Sequence, residues 1–427
     1  MMHQLLKTFV RAIRREYFLR IPFGMIVLFG ANRVRRHYLL KALAWHAIDF
    51  SESDDFPFLK IEAEKLTKDG LKLLIDKPDL PKVEFYVNST GGSTGTPVKL
   101  RQCWNYRDAA SAVENWHYEK IGGKFHFNTK RLHFWGATRD ASSFPKQSLF
   151  RRLFANAKII DSFRLDDRAL VEASADFRDR SPDVIVGYPD SLVWLAKRLP
   201  QDIFNGSHGV FVSSGMPLTG YMRAEIEEAT GLKLYNRYGG REIGGCAFQL
   251  PHSGDLLMVP PFTHFVEVEN EQGEILVEGQ GKLLVSVLQN RAVPIFRYDI
   301  GDEVELLTIK AGRYKDWQAI REVQGRTSEV VTLLGCAYNP IFFIHAIGVD
   351  NHRRDLERFQ IVVHSESSLC IHYQLSSYKI ADEWEDQLRV YLAQEMDPDI
   401  QIDFKQVALI EKTASGKHLY VRDLRKI

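Results

Sequence analysis

The stretch FYVNSTGGSTGTPVK, from Phe85 to Lys99, decides the fold that the sequence predicts. Its apolar beginning, residues 85–87, is typical of a short buried strand, and residues 98–100 favour a second strand. The segment between them combines three glycines, Gly91, Gly92 and Gly95, with hydroxyl side chains that include Ser89, Thr90, Ser93 and Thr94. Glycine lets a backbone turn tightly, and successive N–H groups in such a turn bind anions. The composition therefore predicts a phosphate-binding loop between two strands, with a plain hairpin turn as the alternative.

This loop differs from a Walker A loop, in which the last glycine is followed by Lys and by Ser or Thr at the start of a helix. Here Thr96 and Pro97 follow Gly95, and strand-forming residues come next. The prediction of a phosphate site therefore depends on other parts of the chain.

The composition is that of an ordinary globular protein, with 427 residues, of which 45% are hydrophobic and 26% are charged. A chain of this length is expected to form two or three domains. The formal net charge of +1 gives no general attraction to nucleic acid or to an anionic membrane. The cysteines are scattered without a CxxC pair, at Cys103, Cys246, Cys336 and Cys370. This pattern favours a reducing cytoplasm rather than a disulfide framework.

A basic stretch precedes an apolar one near the N-terminus. Five cations, Lys7, Arg11, Arg14, Arg15 and Arg20, come before the apolar residues 21–30. Pro22 interrupts the apolar run, which also lacks a small-residue cleavage site, so a signal peptide is not indicated. The run is shorter than the roughly 20 residues of a spanning helix. We expect a helix that packs on the main domain and no membrane association; the alternative is a helix that docks on a membrane surface or on a partner.

Strands and helices alternate between residues 131 and 240. Strand patterns occupy 131–136, 184–189, 209–215 and 232–235, and helical patterns occupy 167–178, 191–198 and 221–230. Such alternation predicts βαβ units and a parallel or mixed sheet. Ligands of these sheets bind beyond the carboxyl ends of the strands, so the polar turns found there are candidate site residues.

The predicted fold is therefore α/β. We expect a large N-terminal domain, residues 1–326, in which mixed sheets are combined with helices. Within it, residues 1–50 are expected to form a helical lead-in, a short helix is expected around 62–74, and the apolar spacing of residues 105–121 favours a helix that faces the core. The short strands between about 262 and 325 indicate a β subdomain. The remaining residues, 327–427, are predicted to form a small α+β C-terminal domain.

Four further polar blocks follow the glycine loop in a fixed order. They are Tyr238-Gly239-Gly240-Arg241-Glu242, Phe296-Arg297-Tyr298-Asp299-Ile300-Gly301-Asp302, Gly325-Arg326-Thr327-Ser328-Glu329 and Lys412-Thr413-Ala414-Ser415-Gly416-Lys417. With these five motifs, residues 55–427 resemble the adenylate-forming superfamily of acyl-CoA synthetases, adenylation domains and luciferases. The branch of phenylacetate–CoA ligases and capsule-biosynthesis-like proteins fits best. The resemblance implies ATP-dependent activation of a carboxylic acid to an acyl-adenylate, release of pyrophosphate and transfer of the acyl group to an acceptor, often coenzyme A. It also implies that the C-terminal domain is a mobile lid.

The resemblance assigns the reacting groups to three residues. Thr94 would place its hydroxyl nearest the β- and γ-phosphates, Glu242 would hold Mg²⁺, and Lys417 would offset charge between the carboxylate and the α-phosphate. Magnesium accepts one carboxylate together with phosphate oxygens, and an ammonium on a long stem suits a delivered point charge. The rest of the nucleotide site would consist of Thr90, Gly91, Gly92, Ser93, Gly95, Thr96, Ser214, Gly215, Met216, Pro217, Arg237, Tyr238, Gly239, Asp302 and Arg326.

Some of these residues have individual roles in the family. Tyr238 would lie along the adenine face, and Asp302 would accept hydrogen bonds from the ribose hydroxyls, with Asp299 as the local alternative. Arg326 would lead into the interdomain hinge. We expect Arg297 to be structural.

Two positions depart from the family pattern. Arg241 stands where Thr or Ser is usual, and Ser328 stands where the hinge usually has Asp or Lys. Cys246, His252 and His264 follow the second block without the spacing of a zinc site, so we expect no zinc there.

The resemblance places the acyl pocket among Trp135, Tyr188, Phe211, Gly239 and Gly240, which suits an aryl or medium-chain acid. The alternative for the aromatic residues is a plain core position. We thus predict an ATP-dependent acyl- or aryl-CoA ligase that uses ATP, Mg²⁺ and coenzyme A. Two alternatives stay open: transfer of the adenylated acid to an amine or to a carrier-protein thiol, and a non-catalytic nucleotide-binding interaction protein.

Overall fold

Two of the helices begin at residues whose side chains cap them. In this computed structural model the longer helices are α1 (Ala31–His46), α2 (Lys68–Ile75), α3 (Trp104–Lys120), α4 (Asp167–Arg180), α5 (Pro189–Arg198), α6 (Gly220–Thr230) and α7 (Glu383–Glu395). The Thr67 side chain accepts a hydrogen bond from Gly70 N at 3.1 Å, and Asp166 accepts one from Ala169 N at 3.0 Å. Each bond satisfies a backbone donor that a helix start leaves without an intrahelical partner.

The strands follow one another in short segments. They are β1 (Phe50–Glu52), β2 (Leu59–Ile61), β3 (Phe85–Ser89), β4 (Lys99–Cys103), β5 (Arg131–Trp135), β6 (Ala157–Asp161), β7 (Val184–Gly187), β8 (Val210–Ser214), β9 (Leu234–Gly240), β10 (Gly244–Gln249), β11 (Leu257–Met258), β12 (His264–Glu269), β13 (Ile275–Leu276), β14 (Gly279–Val287), β15 (Tyr298–Thr308), β16 (Gln318–Gln324), β17 (Val331–Leu333), β18 (Cys336–Tyr338), β19 (Leu356–Val363), β20 (Ser368–Leu375), β21 (Gln401–Gln406) and β22 (Val421–Asp423). The described residues are 21–23, 25–52, 59–61, 63–77, 80–89, 99–122, 129–135, 157–162, 165–215, 218, 220–324, 331–338, 342–343, 346–347, 356–375, 383–410 and 420–426.

The chain divides into two compact units, of which the first comprises Met1–Asn88, Lys99–Phe125 and Tyr235–Gly325. Its strands form an antiparallel sheet in the order β13-β12-β14-β15-β16-β11-β10-β9. Strands β3 and β4 form a separate hairpin, as do β1 and β2. The apolar faces of α1 and α3 share one core with the sheet, in which Phe262 and Trp317 are buried. Burial of this apolar surface is the main favourable term in folding.

The second unit comprises Ser89–Val98, His126–Leu234 and Arg326–Ile427. Four parallel strands lie in the order β8-β7-β5-β6, and their buried residues share a core with residues of α4, α5 and α6. A second sheet has the order β21-β20-β19-β22 and packs with α7. The α/β class with mixed sheets that the sequence predicts is therefore confirmed. The division at 326/327 and the mobility of the lid stay predictions.

The structure corrects two predicted elements. Residues 236–240 were predicted to follow the end of a strand, but they lie within β9, because β9 pairs antiparallel with β10 and the turn falls at 241–243. A helix was predicted around 62–74, whereas β2 precedes it and α2 begins only at Lys68. Strands β6 and β16 were not predicted.

Candidate functional site

The roots of the glycine loop are tied to the second polar block. The β3–β4 hairpin confirms the two predicted strands that flank the loop. Asn88 Nδ2 donates to Gln102 Oε1 at 3.2 Å, and Gln102 Nε2 donates to the carbonyl oxygen of Arg241 at 2.9 Å. Gln102 is buried, so both bonds are shielded from water. These bonds connect the strands that carry the loop to the turn that carries Glu242.

That turn is shaped by glycines. Gly239 pairs with Gly245 across β9 and β10, and a Cβ on Gly239 would lie only 2.9 Å from Gly245 Cα. Gly244 has a φ of +75°, a conformation that favours glycine. His264 Nε2 contacts the carbonyl oxygen of Ile243 at 2.8 Å and fixes the end of the turn from within the first unit. The backbone around Glu242 is therefore held from several sides.

The second and third polar blocks meet at one hydrogen bond. Tyr238 Oη donates to Asp302 Oδ2 at 2.7 Å. Burial, and then the charge of Asp302, raise the pKa of Tyr238 well above its usual value, so the hydroxyl stays protonated at neutral pH. This hydrogen bond involves one carboxylate oxygen of Asp302 and thereby fixes the orientation of the second oxygen, Oδ1. The structure thus brings together two residues that the sequence assigned to adenine and ribose.

The local alternative to Asp302 has other partners. Asp299 Oδ1 accepts a hydrogen bond from Gly301 N at 3.0 Å, and its Oδ2 lies 3.9 Å from Lys65 Nζ. Of the two aspartates, Asp302 is therefore the one placed beside Tyr238. Arg297 forms a buried ion pair with Glu267, with N···O distances of 2.9 and 2.8 Å, and its expected structural role is confirmed.

Glu242 is a half-buried carboxylate close to the same hydrogen bond. A Cβ on Gly240 would lie 3.3 Å from Glu242 Oε2, and the Glu242 charge acts on the Tyr238 hydroxyl. Carboxylate oxygens suit Mg²⁺, which completes its coordination with phosphates and water. The residues therefore fit the predicted magnesium role, in which Glu242 would be the protein ligand and the cation would offset phosphate charge.

No group of three or more His, Cys, Asp or Glu side chains in the described part of the chain could hold a metal ion. The Cys246 thiol is buried, which raises its pKa. Both ring nitrogens of His264 have partners, since Nδ1 contacts Thr263 Oγ1 at 3.0 Å. These two side chains are therefore committed to the core of the first unit.

Arg237 has a structural partner in addition to its predicted nucleotide role. Its Nη1 donates to Glu114 Oε1 of α3 at 2.7 Å, and the side chain is 11% exposed. The Glu114 charge raises the pKa of Arg237, although burial acts in the opposite direction and is the largest single influence. The predicted contact between Arg237 and nucleotide stays a prediction.

In the second unit, the end of β8 lies against two aromatic rings. The rings of Trp135 and Tyr188 are stacked, with centroids 4.8 Å apart. A Cβ on Gly215, which has a φ of +83°, would lie 2.9 Å from Tyr188 Cε1. Ser214 is buried at the same strand end. The structure thus brings together Trp135, Tyr188, Ser214 and Gly215.

Phe211 is fully buried in the core between the parallel sheet and its helices, with its ring 6.4 Å from that of Phe204. A core role accounts for this position, and its place in the acyl pocket stays a prediction. Gly239 and Gly240, the other predicted pocket residues, belong to the first unit.

Many of the predicted nucleotide contacts lie outside the described residues. These are Thr90, Gly91, Gly92, Ser93, Thr94, Gly95, Thr96, Met216, Pro217, Arg326 and Lys417. The hinge position Ser328 lies outside them as well. Their assignments stay predictions.

Sequence reasoning missed the residues that support the site. Gln102, Glu114 and His264 carry no local motif, and each contacts a residue at least 21 positions away in the chain. A pattern confined to a short window contains no signal for such pairs.

Comparison with known proteins agrees with the predicted fold. No model of a protein family matches the chain. The chain is 26% identical over 166 residues to phenylacetate-coenzyme A ligase from Escherichia coli (strain K12), a match that covers 37% of each protein. The aligned part is thus little more than a third of the length of this curated relative.

Solved structures extend the comparison to most of the fold. A 2-hydroxyisobutyryl-CoA ligase in complex with 2-HIB-AMP and CoA matches with a TM-score of 0.52 at 15% identity, over 84% of this chain and 80% of that chain. The amide bond synthetase McbA from Marinactinospora thermotolerans matches with a TM-score of 0.45 at 18% identity, over 78% and 67%. At 15% identity the first match establishes the fold alone. The fold is that of an adenylate-forming ligase, and the predicted resemblance to this superfamily is confirmed.

Proposed function

We propose that this protein is an ATP-dependent acid–thiol ligase that activates a carboxylic acid as an acyl-adenylate. The hydrogen bond between Tyr238 and Asp302, beside Glu242, carries the proposal. It joins the aromatic ring that we assign to adenine and the carboxylate that we assign to the ribose, from two distant motifs. The sequence similarity to phenylacetate-coenzyme A ligase supports the same chemistry.

In the proposed reaction, the carboxylate of the acid attacks the α-phosphorus of ATP. A bond forms between the carboxylate oxygen and phosphorus, the bond to the β-phosphate oxygen breaks, and pyrophosphate leaves. Two anions must approach each other, so fixed cations and backbone N–H groups have to offset the developing charge. We assign this task to the glycine loop with Thr94, to Mg²⁺ on Glu242, and to Lys417.

The acceptor in the second step is proposed to be coenzyme A. Its thiol would attack the acyl carbon and displace AMP, which gives the thioester. An aryl or medium-chain acid suits the stacked rings of Trp135 and Tyr188. The buried free cysteines suit a reducing cytoplasm, which we propose as the compartment.

The test is carboxylate-dependent exchange of pyrophosphate into ATP across a panel of aryl and fatty acids. Exchange with one class of acid would establish adenylation and identify the substrate class. In the Lys417→Ala variant we expect exchange to fall by at least about a hundredfold, because a charge aimed at the transition state is typically worth that much. Lys315→Ala, which changes an exposed lysine of the first unit, is the matched control.

Two outcomes would redirect the proposal. Exchange that persists while coenzyme A fails to discharge the adenylate would point to an amine or a carrier-protein thiol as acceptor. Binding of ATP without exchange for any acid would support the non-catalytic alternative.

A further inference from the structure

The face of the first unit formed by residues 21–29 exposes four large apolar side chains, which we call the N-terminal patch. The exposed fractions are 46% for Ile21, 85% for Val27, 76% for Leu28 and 52% for Phe29. Residues 21–23 and 25–29 are helical. Contiguous exposed apolar side chains on a globular protein mark an interaction site more often than single ones do.

Other side chains of the same segment are packed into the core and hold the patch in place. The Phe23 ring stacks on Trp116 with centroids 4.4 Å apart and meets the edge of Phe262 at 5.1 Å. Pro22 is buried as well. The segment is therefore anchored in the core of the first unit while Val27 and Leu28 point away from it.

Charge in the surrounding sequence is strongly segregated. Residues 1–48 contain nine Lys and Arg but a single acidic residue, Glu16, whereas the rest of the chain has 47 basic and 54 acidic residues. Arg33 and Lys41 of α1 are exposed close to the patch in sequence. Among the described cations of this part, Arg35 is buried, so the exposed charge of α1 is that of Arg33 and Lys41. A segment that is rich in cations and also carries exposed apolar side chains has the pattern of one that lies in the interface of an anionic bilayer.

We propose that the N-terminal patch docks this protein on the surface of a membrane that contains anionic lipid. A second copy of the chain is a poorer occupant, because it would bring two basic segments together. In the part of the chain that the structure describes, no helix is long and apolar enough to cross a bilayer. The inference therefore concerns peripheral binding, and it does not depend on the proposed ligase activity.

The test is co-sedimentation of the full chain with two kinds of vesicle, phosphatidylcholine alone and phosphatidylcholine mixed with phosphatidylglycerol. We expect binding to the mixed vesicles, little binding to the neutral ones, and release at high salt, since salt screens exposed charges. The double variant Val27→Ser/Leu28→Ser should lower the partition coefficient at least about tenfold, because two apolar side chains no longer enter the interface. Arg33→Gln should lower it roughly fivefold.

Matched controls separate docking from general surface effects. Val171→Ser changes a valine on α4 that is 67% exposed, and Arg168→Gln changes an arginine whose side chain is 86% exposed on the same helix. Neither should alter the partition, and the thermal midpoints of all variants should match that of the unmodified protein. Absence of binding to the mixed vesicles would overturn the proposal, as would equal binding by Val27→Ser/Leu28→Ser. Self-association that this double variant abolishes, without vesicle binding, would assign the patch to a second copy instead.

Discussion

Tyr238 and Asp302 are the residues on which the proposed nucleotide site most depends. A carboxylate that must accept hydrogen bonds from two ribose hydroxyls needs a fixed orientation, and the Tyr238 hydroxyl supplies it at 2.7 Å. The raised pKa of Tyr238 keeps the donor proton in place. Tyr238 is thus a positioning residue as well as a predicted surface for adenine.

We predict that Tyr238→Phe raises the dissociation constant for ATP roughly tenfold. The ring for stacking remains, but the hydrogen bond to a charged acceptor, worth about 1.5–3 kcal/mol, is lost. Isothermal titration with ATP measures the change.

Tyr314→Phe is the control, since Tyr314 packs against Trp317 away from the polar blocks. An unchanged ATP affinity in Tyr238→Phe would show that Asp302 does not need this hydrogen bond.

At the scale of elements, the β3–β4 hairpin matters because it carries the glycine loop. Hairpins of two strands are marginal on their own, so their position depends on contacts with the rest of the fold. Here Gln102 provides such a contact through its hydrogen bonds to Asn88 and to the Arg241 carbonyl. The two strands that flank the loop are thereby connected to the turn that bears Glu242 within the first unit.

For Gln102→Ala we expect two linked effects. Loss of both partly buried hydrogen bonds should lower the free energy of unfolding by about 1–3 kcal/mol. The rate of pyrophosphate exchange should fall roughly tenfold or more in the folded protein, since misplacement of a positioning element is costly to catalysis.

Urea unfolding and exchange assays on the same preparations distinguish the two effects. Gln280→Ala, which changes an exposed glutamine on β14, should alter neither. A Gln102→Ala protein that is less stable but exchanges at the normal rate would limit Gln102 to a structural role.

At the scale of the whole molecule, two buried histidines tie stability to pH. His117 Nε2 lies 2.8 Å from the Gln249 carbonyl oxygen, and burial lowers the pKa of His117 to about 3. Burial also lowers the pKa of His264 to about 4. Both side chains are neutral in the folded protein over the physiological range.

We therefore predict that the protein loses stability as the pH falls below about 6.5. Above about pH 6.5 the histidines are neutral in both the folded protein and the unfolded chain. Below that pH the unfolded chain binds protons, whereas the folded protein binds them only at about pH 4 on His264 and about pH 3 on His117. Each histidine should lower the free energy of unfolding by about 1.4 kcal/mol per pH unit within its window.

Urea unfolding followed by tryptophan fluorescence at about pH 7 and about pH 5 measures this slope. His264→Gln should reduce the slope of the free energy of unfolding against pH by the contribution of one histidine. His37→Gln, which changes an exposed histidine of α1, should leave this slope unchanged. A slope that does not respond to His264→Gln would contradict the assignment.

The proposed membrane docking also depends on a property of the whole molecule, which is the distribution of its charge. The net charge of +1 is the sum of a basic N-terminal segment, residues 1–48, and an acidic rest of the chain. The N-terminal patch lies within the basic segment. Overall charge therefore gives no attraction to anionic lipid, whereas its distribution does.

The sequence by itself determined the class of this protein. The class follows from local features, namely glycine and hydroxyl residues between two strand-forming runs, followed in order by four polar blocks. Such local preferences can be recognised in short stretches of sequence. For this reason the helix α3 was predicted to within one residue of its bounds, and the strands β3 and β4 to within three residues. The alternation of strands and helices likewise predicted the parallel arrangement of β5, β7 and β8.

Only the tertiary structure decided which residues support the site. Tyr238 and Asp302 are 64 positions apart, Arg237 and Glu114 are 123 apart, and Gln102 and Arg241 are 139 apart. These pairs form because sheet register and core packing bring distant segments together, and neither is encoded in the neighbourhood of either partner. The same holds for β9, which continues through the polar block because β10 returns to pair with it. Short sequence patterns can thus indicate the groups of the proposed nucleotide site, while long-range packing determines which residues hold those groups in place.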